Sequence, residues 1–141
     1  RAEARTVPPS VILVSSLAAF LPAPGPAMYI ATKGFLVQLA RALQPQAVRE
    51  GVRFQVLCPG FTHTDFHDRL EWSSDARHDR GIVRWMTPED VVRPSLKALQ
   101  SRRATGDPVF IPGFANRFIR RMTSLMPWRL YARVVTSMNY L

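Results

Sequence analysis

The chain has 141 residues, enough for one domain with a real core, and its 47% apolar and 21% charged content excludes a fibrous or disordered polymer. Nineteen basic against ten acidic residues give a formal charge of +9, and all but two of the basic residues are arginine. Such a surplus attracts phosphates, anionic lipids or nucleic acid, but no nucleic-acid motif accompanies it, so nucleic acid is not an expected partner. Cys58 is the only cysteine, which excludes an internal disulfide and points to a cytoplasmic setting.

In chain order, Val11-Ile12-Leu13-Val14 is a short apolar run after two prolines and reads as a buried parallel strand. Ser15 to Pro26, with its prolines and Gly25, reads as a loop. From Tyr29 to about Arg49 the apolar residues follow helical spacing, and Pro45 is expected to interrupt or kink that helix. Gly51 closes it, and 52–57 reads as the next strand, so the segment is a βαβ unit with parallel strands.

Cys58-Pro59-Gly60 is a sharp turn, with Cys58 expected as a small buried residue. Residues 62–86 have no clean period and read as a lid-like insertion. Thr87-Pro88-Glu89-Asp90 is a strong helix start, with that helix running to about Arg102. Val109-Phe110-Ile111 reads as a third strand, and 116–138 as a helical region broken near Pro127.

Tyr29 and Lys33 lie four residues apart, so on a helix they share one face. A phenol beside a fixed ammonium is a plausible general acid/base, because the positive charge favours the phenolate. Alone the pair is weak and common on amphipathic surfaces. Context strengthens it, since Ser15 and Ser16 lie just past the carboxyl end of a buried parallel strand, where open α/β sheets place their sites.

The stretch from Val11 to Lys33, VILVSSLAAFLPAPGPAMYIATK, resembles the active-site segment of classical short-chain dehydrogenases/reductases. Counting back thirteen residues from Tyr29, as that family spaces its serine and tyrosine, lands on Ser16. The family's lysine matches Lys33, its Pro-Gly turn matches Pro59-Gly60, and its following threonine matches Thr64. The resemblance implies an α/β fold: the C-terminal half of a Rossmann-like, doubly wound parallel sheet spanning 1–113, with a helical extension over 114–141. It also implies hydride transfer between NAD or NADP and a small-molecule carbonyl or alcohol. Tyr29 would exchange the proton, Ser16 would hold the substrate oxygen, and Lys33 would support Tyr29 and contact the ribose. Pro59, Gly60, Phe61, Thr62 and Thr64 would line the nicotinamide, and the assembly would be a homo-oligomer.

The resemblance also sets expectations by what these residues omit. None of the seven glycines forms the family's Gly-x-x-x-Gly-x-Gly array, so the pyrophosphate grip is not encoded here. The chain is therefore expected to correspond to the back half only, with an uncovered strand edge and little turnover by itself. The second reading is a non-catalytic fragment whose basic tail binds a membrane surface or a partner.

Three further features stand out. His63-x-Asp65-x-His67, with Asp68 and His78, falls among loop residues and is read as solvated, with no metal site expected. Phe61, Phe66, Trp72 and Trp85 are read either as lid packing or as the lining of a pocket for a lipid-like substrate. From Phe114 onward there are five arginines, no acids, and an interleaved apolar series including Phe118, Met122, Leu125 and Trp128. That pattern suits peripheral contact with an anionic membrane, or packing with the arginines in water.

Overall fold

The strand Ser10–Val14 (β1) is β-branched at Val11, Ile12 and Val14, and the computed structural model pairs it in parallel with Arg53–Leu57 (β2). The structure describes residues 8–64, 84–101 and 106–137. Leu13 stands beside Val56 and Val11 beside Phe54 in the β1–β2 register. A third strand, Val109–Phe110 (β3), adds to the other side of β2, also in parallel, so the order is β1-β2-β3.

The crossover from β1 to β2 is the helix Ala27–Arg49 (α1). Of the two outcomes expected at Pro45, interruption does not occur: the helix runs through it. A proline removes one helical hydrogen bond, to the carbonyl four residues earlier. Here the burial of Val37 and Ala40 before it and Ala47 beyond it holds the helix together on both sides. Termination falls to Gly51, whose φ of +69° is open to glycine at little cost. The Val52 N–H reaches the Ala47 carbonyl at 2.8 Å and the Gly51 N–H the Val48 carbonyl at 3.2 Å, the paired bonds of a Schellman ending.

Side chains alternate across β2, and the two faces meet different helices. Val56 joins Leu17, Val37, Ala40, Cys58, Val109 and Ile111 in the core beneath α1. Gln55 points the other way, into the helix Pro88–Ser101 (α2), where it meets Ser95. The sheet is thus covered on both faces, as a doubly wound sheet requires. The start of α2 is as the sequence indicates. Asp90 N–H donates to the Thr87 hydroxyl at 3.2 Å while Asp90 carboxylate accepts from the Thr87 N–H at 3.1 Å, a reciprocal capping box.

The last described elements are Phe114–Leu125 (α3) and Trp128–Ser137 (α4), broken at Met126-Pro127 as expected. Both helices lie back on the loop after β1. The Arg120 guanidinium stacks 4.8 Å over the Phe20 ring, and the Tyr131 hydroxyl donates to the Pro22 carbonyl at 2.9 Å. Most of the lid-like insertion, including Phe66, Trp72, Asp65, His67, Asp68 and His78, lies outside the described residues.

Candidate active site

The carboxyl end of β1 gives way to two serines with opposite roles. Ser15 is buried, and its hydroxyl donates to the Lys33 carbonyl at 2.8 Å, fastening the strand end to the first turns of α1. Ser16 is the N-cap of a short 3-10 turn, Leu17–Phe20, where the sequence suggested only a loop. Its oxygen accepts the Ala18 N–H at 3.1 Å. A serine hydroxyl holds one donor and two acceptor sites, so this cap fixes the oxygen while leaving the proton able to turn outward. The cap therefore positions Ser16 without using its donor.

Lys33 is held where the spacing predicts. Its ammonium donates to the Val14 carbonyl at 3.2 Å and lies 5.6 Å from the centre of the Tyr29 ring. Tyr29 and Lys33 therefore share a face of α1, next to the last residue of β1. By the alternation of a strand ladder, Val14 turns its carbonyl away from β2, so the Lys33 ammonium sits at the open side of β1.

The turn after β2 closes the site from the other side. The Leu17 N–H donates to the Pro59 carbonyl at 2.7 Å, locking the serine loop to the Pro59-Gly60 turn. The Thr62 hydroxyl donates to the Gly60 carbonyl at 3.1 Å. Thr62 then bridges to Met86 in parallel fashion, and Phe61 and Trp85 bring their rings to 5.2 Å. Thr64 is exposed at the edge of the described residues.

Cys58, at the end of β2, is fully buried. Burial pushes its thiol up to about 11, and the neighbouring Ser15, the Ser16 backbone and the Arg120 and Arg41 charges only partly offset that. Among the described residues no group of three or more metal-ligating side chains comes together.

Two residues of this region escaped the sequence reading. Ser15 was grouped with Ser16 but has its own partner. Asn116, at the start of α3, is buried and donates to the Pro112 carbonyl at 2.9 Å, and its amide presses on Gly60. A Cβ on Gly60 would lie 2.6 Å from the Asn116 Oδ1. The only sequence signal for that contact is the glycine itself, because Asn116 lies far along the chain.

Comparison with known proteins finds relatives over much of the chain. A sequence model of the family described as short chain dehydrogenase matches residues 7–74. Human dehydrogenase/reductase SDR family member 4 is 34% identical over 111 residues, covering 74% of this chain and 40% of its own length. The match assigns residues 7–74 to the short-chain dehydrogenase/reductase family. The chain spans less than half the length of the curated relatives it matches. A 3-oxoacyl-[acyl-carrier protein] reductase from Brucella melitensis in complex with NAD superposes with a TM-score of 0.66 at 21% identity, over 82% of this chain and 47% of that one. A short-chain dehydrogenase from Sphingobium yanoikuyae in complex with NADPH gives 0.64 at 21%, over 84% and 46%. The fold is that of the C-terminal half of the family's Rossmann-like sheet.

Proposed function

We propose that this chain supplies the proton-transfer and nicotinamide side of an NAD- or NADP-dependent oxidoreductase that interconverts a carbonyl and an alcohol. The observation that carries the reading is the Ser16, Tyr29 and Lys33 set at the carboxyl end of β1, with the Lys33 ammonium anchored on Val14 beside the Tyr29 ring. The donor set suits a nicotinamide riboside: hydroxyls and an ammonium for ribose and substrate oxygen, and the turn of Pro59, Gly60, Phe61 and Thr62, with Thr64, for the carboxamide. Bound NAD(P) supplies or accepts the hydride.

Every other role falls to the chain. Tyr29 Oη exchanges a proton with the substrate oxygen, with the Lys33 ammonium held beside its ring. Ser16 turns its free hydroxyl hydrogen to that oxygen and stabilises the charge that develops there. The Phe61–Trp85 pair offers an apolar wall that suits a bulky or lipid-like substrate. The exposed Met28 and Phe35 on α1 suit a homo-oligomeric contact, and the lone buried cysteine suits a cytoplasmic protein.

By themselves these 141 residues are proposed to bind cofactor weakly, because no glycine array for the pyrophosphate is among them. Reduction of a panel of ketones by NADH or NADPH tests the reading. Tyr29→Phe is expected to lower kcat by roughly 10²–10⁴-fold. Turnover that survives Tyr29→Phe unchanged sinks the assignment, whereas lack of saturable NADH or NADPH binding at millimolar concentration sinks the idea that these residues act alone.

A further inference from the structure

Helix α3 carries two adjacent surfaces that the proposed chemistry does not use. At about 100° per residue, Phe114, Phe118, Met122 and Leu125 fall on one stripe. All four are exposed, Phe114 at 77% and Leu125 at 71%. Large apolar side chains in an unbroken exposed row are unusual for a surface meant for water. The buried side of the same helix is accounted for by Asn116, Ile119 and Thr123, so the exposed row is not the face that packs on the core.

The second surface lies next to that stripe. Arg117, Arg120 and Arg121, with Ser124, line an open groove of about 480 Å³ whose floor is Val109 and Ile111. Three arginines line it, with no carboxylate among the lining residues. The charge does not end with α3. Trp128 and Leu130 are exposed on α4 beside Arg129 and Arg133, and no acidic residue follows Asp107 in the sequence.

We infer that α3 and α4 dock the protein on an anionic phospholipid surface, with the apolar stripe entering the headgroup boundary and lipid phosphates seated in the Arg117–Arg120–Arg121 groove. Charge complementarity selects this occupant. A second copy would bring the same arginines against their own kind, in a chain that already carries +9. Guanidinium groups bind phosphate oxygens in a two-pronged manner, and arginine stems can lie along an apolar stripe while their heads stay at phosphate level. No helix among the described residues is long and apolar enough to cross a membrane, so these two short helices lie in the interface plane. The inference is independent of the proposed redox chemistry.

Co-sedimentation of the full chain with vesicles tests it without any mutation. Binding to vesicles of one-third phosphatidylglycerol in phosphatidylcholine is expected to exceed binding to pure phosphatidylcholine by roughly tenfold or more, and to fall with salt. R117E/R121E and F118S/L125S, each checked for native circular dichroism, are expected to weaken binding to a similar degree, while Trp128 fluorescence shifts to the blue only with anionic vesicles. Equal binding to both vesicle types overturns the inference. So does binding of glycerol phosphate with no vesicle binding, which would make the groove a small-anion site. So does a dimer that the Phe118 and Leu125 changes split while vesicle binding is unaffected.

Discussion

Gly60 shows how one missing atom can set a site. Its backbone needs no unusual dihedral, yet the Asn116 amide occupies the space of a side chain, with Oδ1, Nδ2 and Cγ all within 2.6 to 2.8 Å of an added Cβ. Asn116 is short, buried and tied to the Pro112 carbonyl, so it yields little. Gly60→Ala is expected to destabilise the fold by about 1–3 kcal/mol through overpacking. Adding Asn116→Gly should recover much of that loss in urea titrations. A Gly60→Ala protein as stable as the parent would show the contact to be soft. Two residues away, Cys58 supports a second expectation. Its thiol is pushed up to about 11 mainly by burial, so in the fold it stays protonated where an unfolded thiol would ionise. The stability this contributes is intact below the unfolded value near 9 and is lost as pH rises toward 11. Iodoacetamide should leave Cys58 untouched at pH 8 in the native protein and react readily in urea; rapid native labelling would contradict the buried, neutral thiol.

Among the elements, β2 and α2 are joined by a polar pair rather than by apolar packing alone. The Ser95 hydroxyl donates to Gln55 Oε1 at 2.5 Å, the Gln55 amide reaches the Ser95 carbonyl at 3.3 Å, and both side chains are essentially inaccessible. Ser95→Ala strands the Gln55 oxygen without a partner and should cost about 1–3 kcal/mol, with the urea m-value unchanged. A loss under a few tenths of a kcal/mol would mean that another donor takes over. This pair also marks where sequence reading stops. Gln55 in an alternating strand looks solvent-facing, and only the position of α2 over that face makes it interior. The βαβ unit, the Thr87 cap and the Tyr29–Lys33 face were legible because each depends on residues within four positions of one another. The strength of α1 through Pro45 was not, because it comes from Val37, Ala40 and Ala47 meeting partners distant in sequence. Nor was the 3-10 turn that orients Ser16, whose cap forms only once the serine loop is pinned to Pro59.

At the scale of the molecule, β1 is bonded to β2 on one side, and among the described residues no strand covers its other side. Since the Ser15 N–H donates to the Leu57 carbonyl and the Arg53 N–H to the Pro9 carbonyl, the alternation turns the N–H and C=O groups of Ser10, Ile12 and Val14 outward. Val14 places one carbonyl on Lys33, and its side chain is 56% exposed. An open parallel edge of this kind recruits another strand. The 141-residue chain is therefore expected to self-associate as its concentration rises, with light scattering reporting the growth in mass. Ile12→Pro separates this edge from the rest of the sheet. It removes an outward N–H while leaving the β1–β2 ladder intact, so the variant should remain folded and lose the concentration-dependent growth in mass. Leu13→Pro, by contrast, removes an inward donor and should unfold β1. If the parent chain stays monomeric at every concentration, or if Ile12→Pro associates as strongly as the parent, β1 is not the adhesive edge. The same experiment bears on the candidate site, because the strand pairing at this edge would lie directly beside the Lys33 ammonium.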